Sequence, residues 1–187
     1  MAGWIAIGAL VLVGLYAIII YNRLVRLRAL VKEGWSGITV QLRRRADLIP
    51  NLVSTVEGYA THERETLNEV TAHRTDPTKA RGVAETAQAD NAFTAMLGRL
   101  MAVAEAYPDL KADDNFRQLQ DELSTIEGEL QGARRYYNAT VRDLNTRIQS
   151  FPDVVLAKPM GFSEEPFYAD EDASIQTAPK VEFGGKA

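Results

Sequence analysis

The chain contains no cysteine, which excludes disulfides and cysteine-ligated zinc. It has only two histidines, His62 and His73. No glycine-rich phosphate loop precedes a helix, and no serine stands in a G-x-S-x-G turn. Basic charge is not in excess: 21 Lys and Arg face 25 Asp and Glu, a net charge of −4. Electrostatic binding of nucleic acid by the chain as a whole is therefore excluded. Residues 2–21, AGWIAIGALVLVGLYAIIIY, lack any charged side chain.

That last absence is the strongest positive signal. Twenty apolar residues in a helix span roughly 30 Å, the thickness of a bilayer core. Trp4 and Tyr21 stand at its two ends, as interfacial aromatics do. A cleaved signal peptide would want a basic leader, a shorter apolar run and a small-x-small site. None is present, so residues 1–21 are expected to be an uncleaved transmembrane anchor. Arg23, Arg26, Arg28 and Lys32 follow it closely, against one acid, Glu33. They are expected to meet anionic headgroups and to hold the C-terminal side in the cytoplasm.

The 187 residues suffice for one domain with a core. Charge is uneven along them. Residues 22–75 carry nine basic and six acidic side chains, and residues 152–187 carry three basic and seven acidic. A basic stem thus precedes an acidic tail.

The periodicity predicts an all-α fold, in which the transmembrane helix continues into an antiparallel bundle of three long helices and a short fourth. In the stem, Val31, Trp35, Ile38, Leu42, Arg45, Ile49, Leu52, Val56 and Tyr59 follow steps of three and four. The spacing predicts one helix over about 22–75, kinked at Pro50. A fresh helix capped by Asp47 is the alternative. Phe93, Met96, Leu97, Leu100, Met101 and Ala104 predict a second helix over about 84–107, ended by Pro108. Phe116, Leu119, Leu123, Ile126, Leu130, Ala133, Tyr137, Val141, Leu144 and Ile148 predict a third over 114–150, capped by Asp113 or Asp114. Residues 152–157 add the short fourth, which closes a bundle over 22–157. From 158 to 187 the pattern dissolves into an extended acidic tail with scattered anchors, among them Phe162, Phe167 and Tyr168.

Two stretches resemble a known family. "YNRLVRLRALVKEGWSGITVQLRRRADLIPNLVSTVEGYATHERETLNEVTAHR", Tyr21 to Arg74, is similar to the signature of the LemA family. "NFRQLQDELSTIEGELQGARRYYNATVRDLNTRIQSFP" resembles its second characteristic block, in the same order and spacing. The resemblance implies a bacterial inner-membrane protein with one N-terminal transmembrane helix and a cytoplasmic helical bundle. It implies no catalytic activity, and a branch that builds magnetosome membranes suggests scaffolding. Gly34 stands where the family carries alanine. With Gly37 it is expected to loosen the helix near the membrane.

Few residues suggest chemistry. His62, Thr66, Glu69 and His73 share a helix face, so His62, Glu69 and His73 are weak candidates for a metal. The H-E-x-x-H pattern fails at Thr66, and no E-x-x-H motif is present, so no metal or other cofactor is expected. Asp121, Glu122, Glu127 and Glu129 read as a solvated helix face. Arg43, Arg44 and Arg45 lie too far along the stem to meet headgroups. Arg45 sits in the apolar seam and needs an acid, because an unpaired buried charge is costly. Asp47 is too near in sequence. Glu122, Glu127, Glu129 or an acid of another subunit are the expected partners. Arg43, Arg44, Arg45, Asp47, Pro50 and Asn51 are thus expected to set packing and subunit contact.

Three functions compete. The leading expectation is a membrane scaffold that homo-oligomerises through its stem and contacts lipid. The second is a monomeric adaptor whose acidic tail recruits a membrane protein such as a protease. The third, a metal enzyme, rests on His62, Glu69 and His73 alone.

Overall fold

The computed structural model describes residues 1–60 and 82–168. Among these every regular element is a helix, and there is no strand. The elements are α1 (Ala2–Glu57), α2 (Val83–Glu105), α3 (Pro108–Ala112), α4 (Asp114–Gln149) and α5 (Asp153–Ala157).

Helix α1 runs unbroken through the apolar segment, the arginine cluster and Pro50. It is long and apolar enough to cross a membrane. Pro50 is exposed and interrupts nothing, so no new helix begins at Asp47. The seam residues Val31, Ile38, Leu42, Ile49, Leu52 and Val56 are buried on one side of it.

The helix predicted to reach about 75 ends at Glu57. The amide of Ala60 closes the last turn on the Val56 carbonyl at 2.8 Å. Its antiparallel partner α4 starts at this level. Asp113, the N-cap of α4, accepts from the Phe116 amide at 2.9 Å and from the Tyr59 hydroxyl at 3.0 Å.

Helices α1 and α4 form an antiparallel spine. A Cβ at Gly34 would lie 3.0 Å from the Tyr137 Cα, and one at Gly37 would lie 3.8 Å from the Ala133 Cβ. Gly34 therefore lets two backbones approach closely, and the helix there is continuous. The expectation that Gly34 loosens the helix is corrected: the absent side chain serves packing between helices.

The third column beside this spine is divided. Its half remote from the apolar segment is α2, whose Phe93, Leu97 and Leu100 pack with Ile49, Leu52 and Val56. Its near half is α5 and the segment after it, where Ala157, Phe162 and Tyr168 pack with Ile20, Leu24, Ile38 and Tyr137. Met101 meets Gln120, while Asp90 meets Arg134 further along, so α2 is antiparallel to α4 and parallel to α1.

Pro108 stands just past the end of α2. It also occupies the first turn of α3, where no amide is needed. Leu110 of that short helix is fully buried. After α5 a glycine-ended turn reverses the chain. Gly161 has φ +77°, and the Phe162 amide reaches back to the Ala157 carbonyl at 3.0 Å. This is the Schellman arrangement, which glycine permits without strain.

Candidate functional site

The two halves of the core meet at a buried group of charges. Arg45 of α1 is 3% exposed and Asp90 of α2 is 3% exposed. Arg45 Nη1 donates to Asp90 Oδ1 at 2.8 Å, and its Nη2 donates to Thr94 Oγ1 at 3.0 Å. Nη2 also lies 3.2 Å from Glu127 of α4. The guanidinium stands over the Phe93 ring, 4.8 Å from its centroid.

The second oxygen of Asp90 is held from the other side. Arg134 of α4 donates to it, and the Tyr168 hydroxyl donates to it at 2.7 Å. Arg134 also covers the Tyr168 ring at 5.1 Å. One carboxylate thus binds α1, α4 and the C-terminal segment to α2. Burial, followed by the bond to Asp90, raises the Tyr168 pKa well above the ordinary phenol value, so the hydroxyl stays a donor. Two arginines balance the buried Asp90 and the partly exposed Glu127, so charge is neutralised around the buried carboxylate.

Sequence reasoning placed Arg45 correctly in the seam and named Glu127 among its partners, but it missed Asp90 and Arg134. A signal was present. Asp90 lies in phase with Phe93, Leu97, Leu100 and Ala104, an acid on an apolar stripe. Arg44 pairs with Glu129 at 2.6 Å on the surface, a contact worth at most about 1 kcal/mol. Glu127 and Glu129 are therefore ion-pair partners as well as members of a polar face. Arg43, Asp47 and Asn51 are exposed.

The segment ending at Tyr168 is gripped by its backbone. Asn145 of α4 donates to the Glu165 carbonyl at 2.8 Å and accepts from the Glu165 amide at 2.9 Å. Asn138 does the same for Tyr168, at 3.1 and 2.8 Å. The two asparagines are seven residues apart, about 10.5 Å of helix rise. Residues 165 and 168 are three apart, about 10 Å of extended chain. The two repeats coincide, so one helix face supplies both backbone partners that a neighbouring strand would supply. Pro166 needs no donor, holds Glu165 in extended backbone, and offers its carbonyl to the Tyr137 hydroxyl at 2.8 Å. Burial pushes the Tyr137 pKa up to about 12, with Glu165 adding to the shift. The Trp35 ring lies tilted against both Tyr137 and Tyr168, with centroids 5.7 and 6.5 Å away.

The membrane-proximal candidates occupy different surroundings. Trp4 is 79% exposed, and Arg23, Arg26 and Lys32 are exposed. Tyr21 packs edge-on to Phe162 at 5.7 Å, and Arg28 lies over the same ring at 4.4 Å. Tyr21 and Arg28 thus hold the C-terminal segment on α1. His62, Glu69 and His73 lie outside the described residues. Among the described residues no group of three or more metal-ligating side chains converges.

The charge cluster and both asparagines fall within residues 34–183, the stretch matched by the model of the LemA family. Protein LemA of Metamycoplasma hominis is 30% identical over 135 residues, covering 70% of this chain and 60% of the relative. Magnetosome protein MamQ 2 of Paramagnetospirillum magneticum is 25% identical over 179 residues, covering 82% of this chain and 66% of the relative. Magnetosome protein MamQ of Magnetospirillum gryphiswaldense is 31% identical over 85 residues, covering 46% and 31%. The chain thus spans less than two thirds of the length of these relatives. The match over most of its helical bundle means that the chain belongs to the LemA family.

Proposed function

We propose that the protein is a non-enzymatic, membrane-anchored scaffold that assembles through its helical stem to organise or remodel a bacterial membrane. The supporting observation is the unbroken helix from Ala2 to Glu57. An apolar segment and a bundle that share one helix cannot swivel independently, so bundles brought together impose geometry on their anchors. The charge cluster supports the same reading, since each of its groups is engaged in holding elements together. Kinship with proteins named for the magnetosome is consistent with membrane organisation.

The stem seam is largely used inside the chain. Past the apolar segment, Val25 and Val40 are the large hydrophobics of α1 left exposed. Assembly would therefore join modest stem contacts to contacts between apolar segments, where Gly3, Gly8 and Gly14 leave open space for close approach. The basic residues Arg23, Arg26, Arg28 and Lys32 support an inner-membrane location with the bundle in the cytoplasm. Because the chain has no cysteine, a thiol engineered into the bundle tests this orientation; labelling from outside intact cells overturns it.

Particle size in mild detergent, by light scattering and electron microscopy, tests the scaffold. A uniform symmetric particle is expected, and a monomer overturns it. The second reading is an adaptor whose acidic tail recruits a membrane protein. Residues up to Tyr168 dock on their own bundle, so the recruiting part would be 169–187. Truncation after Tyr168 abolishes partner pull-down under the adaptor reading and leaves particle size unchanged under the scaffold reading.

A further inference from the structure

The end of the bundle nearest the apolar segment carries an exposed apolar tip. Phe151 is 83% exposed, Val155 62% and Val154 38%. They occupy the turn after α4 and the outer side of α5. The same short helix is firmly seated, because Asp153 is fully buried against Arg147 and Ala157 is fully buried. The exposed side chains are therefore held outward by a fixed framework.

The antiparallel register gives the height of this tip. Gly34 stands opposite Tyr137. Thirteen residues back along α1 lies Tyr21, and twelve residues on along α4 lies Gln149. Both are displaced by about 18–20 Å in the same direction. The turn at Phe151 is thus level with the last turn of the charge-free segment. Ile20, inside that segment, is 1% exposed because it is covered within the cluster holding Ile148, Ala157 and Phe162. The bundle does not stop short of the apolar segment but overlaps its end.

The surrounding charge fits a bilayer surface. Arg23 and Arg26, in the turns of α1 that follow Tyr21, and Lys158, which follows α5, are exposed. Between Phe151 and Met160 the lone acid is Asp153, which is buried and paired. An apolar wedge with a basic rim, at the height where an anchor leaves the hydrocarbon, is the form of an interfacial membrane contact.

We propose that the α4–α5 turn, through Phe151, Val154 and Val155, inserts into the same bilayer as α1 and forms a second, interfacial anchor beside it. This rests on reading the apolar part of α1 as the transmembrane span. Two attachment points on one rigid body fix the tilt and rotation of the bundle against the membrane plane, which a single helix leaves free.

The absence of cysteine makes the test direct. The full chain carrying Val155→Cys is spin-labelled and reconstituted into vesicles of phosphatidylethanolamine and phosphatidylglycerol. Collision rates with oxygen, which partitions into lipid, and with a water-soluble nickel chelate are then measured. Leu12→Cys in the apolar segment and Lys111→Cys at the far end of the bundle are the references. The expected result is that Val155→Cys loses most of the nickel collisions seen at Lys111→Cys and keeps oxygen collisions, at a depth shallower than Leu12→Cys. Nickel access equal to that of Lys111→Cys, with Leu12→Cys still lipid-buried, overturns the second anchor alone. Shielding from both reagents means that protein covers the tip and also overturns it. Nickel access at Leu12→Cys as well overturns the span and, with it, this inference.

Discussion

Arg45 and Asp90 are 45 residues apart in the chain and 2.8 Å apart in space, with side chains 4% and 1% exposed. Asp90 also takes Arg134 and Tyr168, so its loss removes a buried carboxylate from two arginines at once.

Asp90→Ala is accordingly expected to destabilise the fold by about 3–5 kcal/mol, the usual cost of breaking a buried pair from one side. Replacing Asp90 and Arg45 together with Leu and Met should recover part of that loss, because the buried guanidinium goes with its buried carboxylate and Glu127 is left partly exposed to water. Chemical unfolding followed by circular dichroism in detergent measures both. An Asp90→Ala protein as stable as the wild type would show that the cluster does not clamp the helices.

The asparagine pair predicts a local effect. Asn145→Ala removes two bonds to Glu165 and leaves backbone groups to find water. A cost of about 1–3 kcal/mol is expected, felt at the docked segment. Hydrogen exchange should speed up at the Glu165 and Tyr168 amides while the middle of α4 stays protected. Faster exchange across all of α4 would mean that the asparagine supports the helix itself.

Two glycines three residues apart should respond oppositely. At Gly34 an added side chain meets the Tyr137 backbone, so Gly34→Val is expected to cost about 1–3 kcal/mol through overpacking. At Gly37 a Cβ finds ordinary contact with Ala133. Gly37→Ala should therefore stabilise by up to about 1 kcal/mol through helix propensity. Melting temperatures that move the same way for both variants would contradict the close approach at Gly34.

Stability should fall at both ends of the pH scale, for separate reasons. The bond from the Phe116 amide, then that from Tyr59, holds the Asp113 carboxyl below the usual range. Its contribution is present above the ordinary value of about 3.9 and is lost as pH falls through the lower folded value. Asp113→Asn keeps a capping oxygen and should flatten that acid decline. Tyr137 is raised to about 12, so its contribution is complete below the ordinary value of about 10 and is lost as pH rises toward the folded one. Tyr137→Phe should flatten the alkaline decline. Tyrosine absorbance and helical circular dichroism, followed together, check both arms.

Much of this was legible in one dimension. An uncharged run is visible to simple counting, and steps of three and four place α1, α2 and α4, because a helix repeats locally and its buried face must be apolar. Arg45 betrayed itself in the same way, as a charge on an apolar stripe. Its main partner Asp90 carries the same mark on the stripe of α2, but periodicity does not say which stripes face each other at that height. The endpoint of α1 at Glu57 was overrun because steps of three and four do not say where a helix closes. Gly34 was misjudged because a missing side chain looks like weakness until another backbone lies against it. The pairing of Asn138 and Asn145 with residues 165 and 168 depends on two different rises coinciding, and so does the height of Phe151 beside Tyr21 on its antiparallel register. These are relations between segments remote in the chain, and only packing in three dimensions brings such segments together.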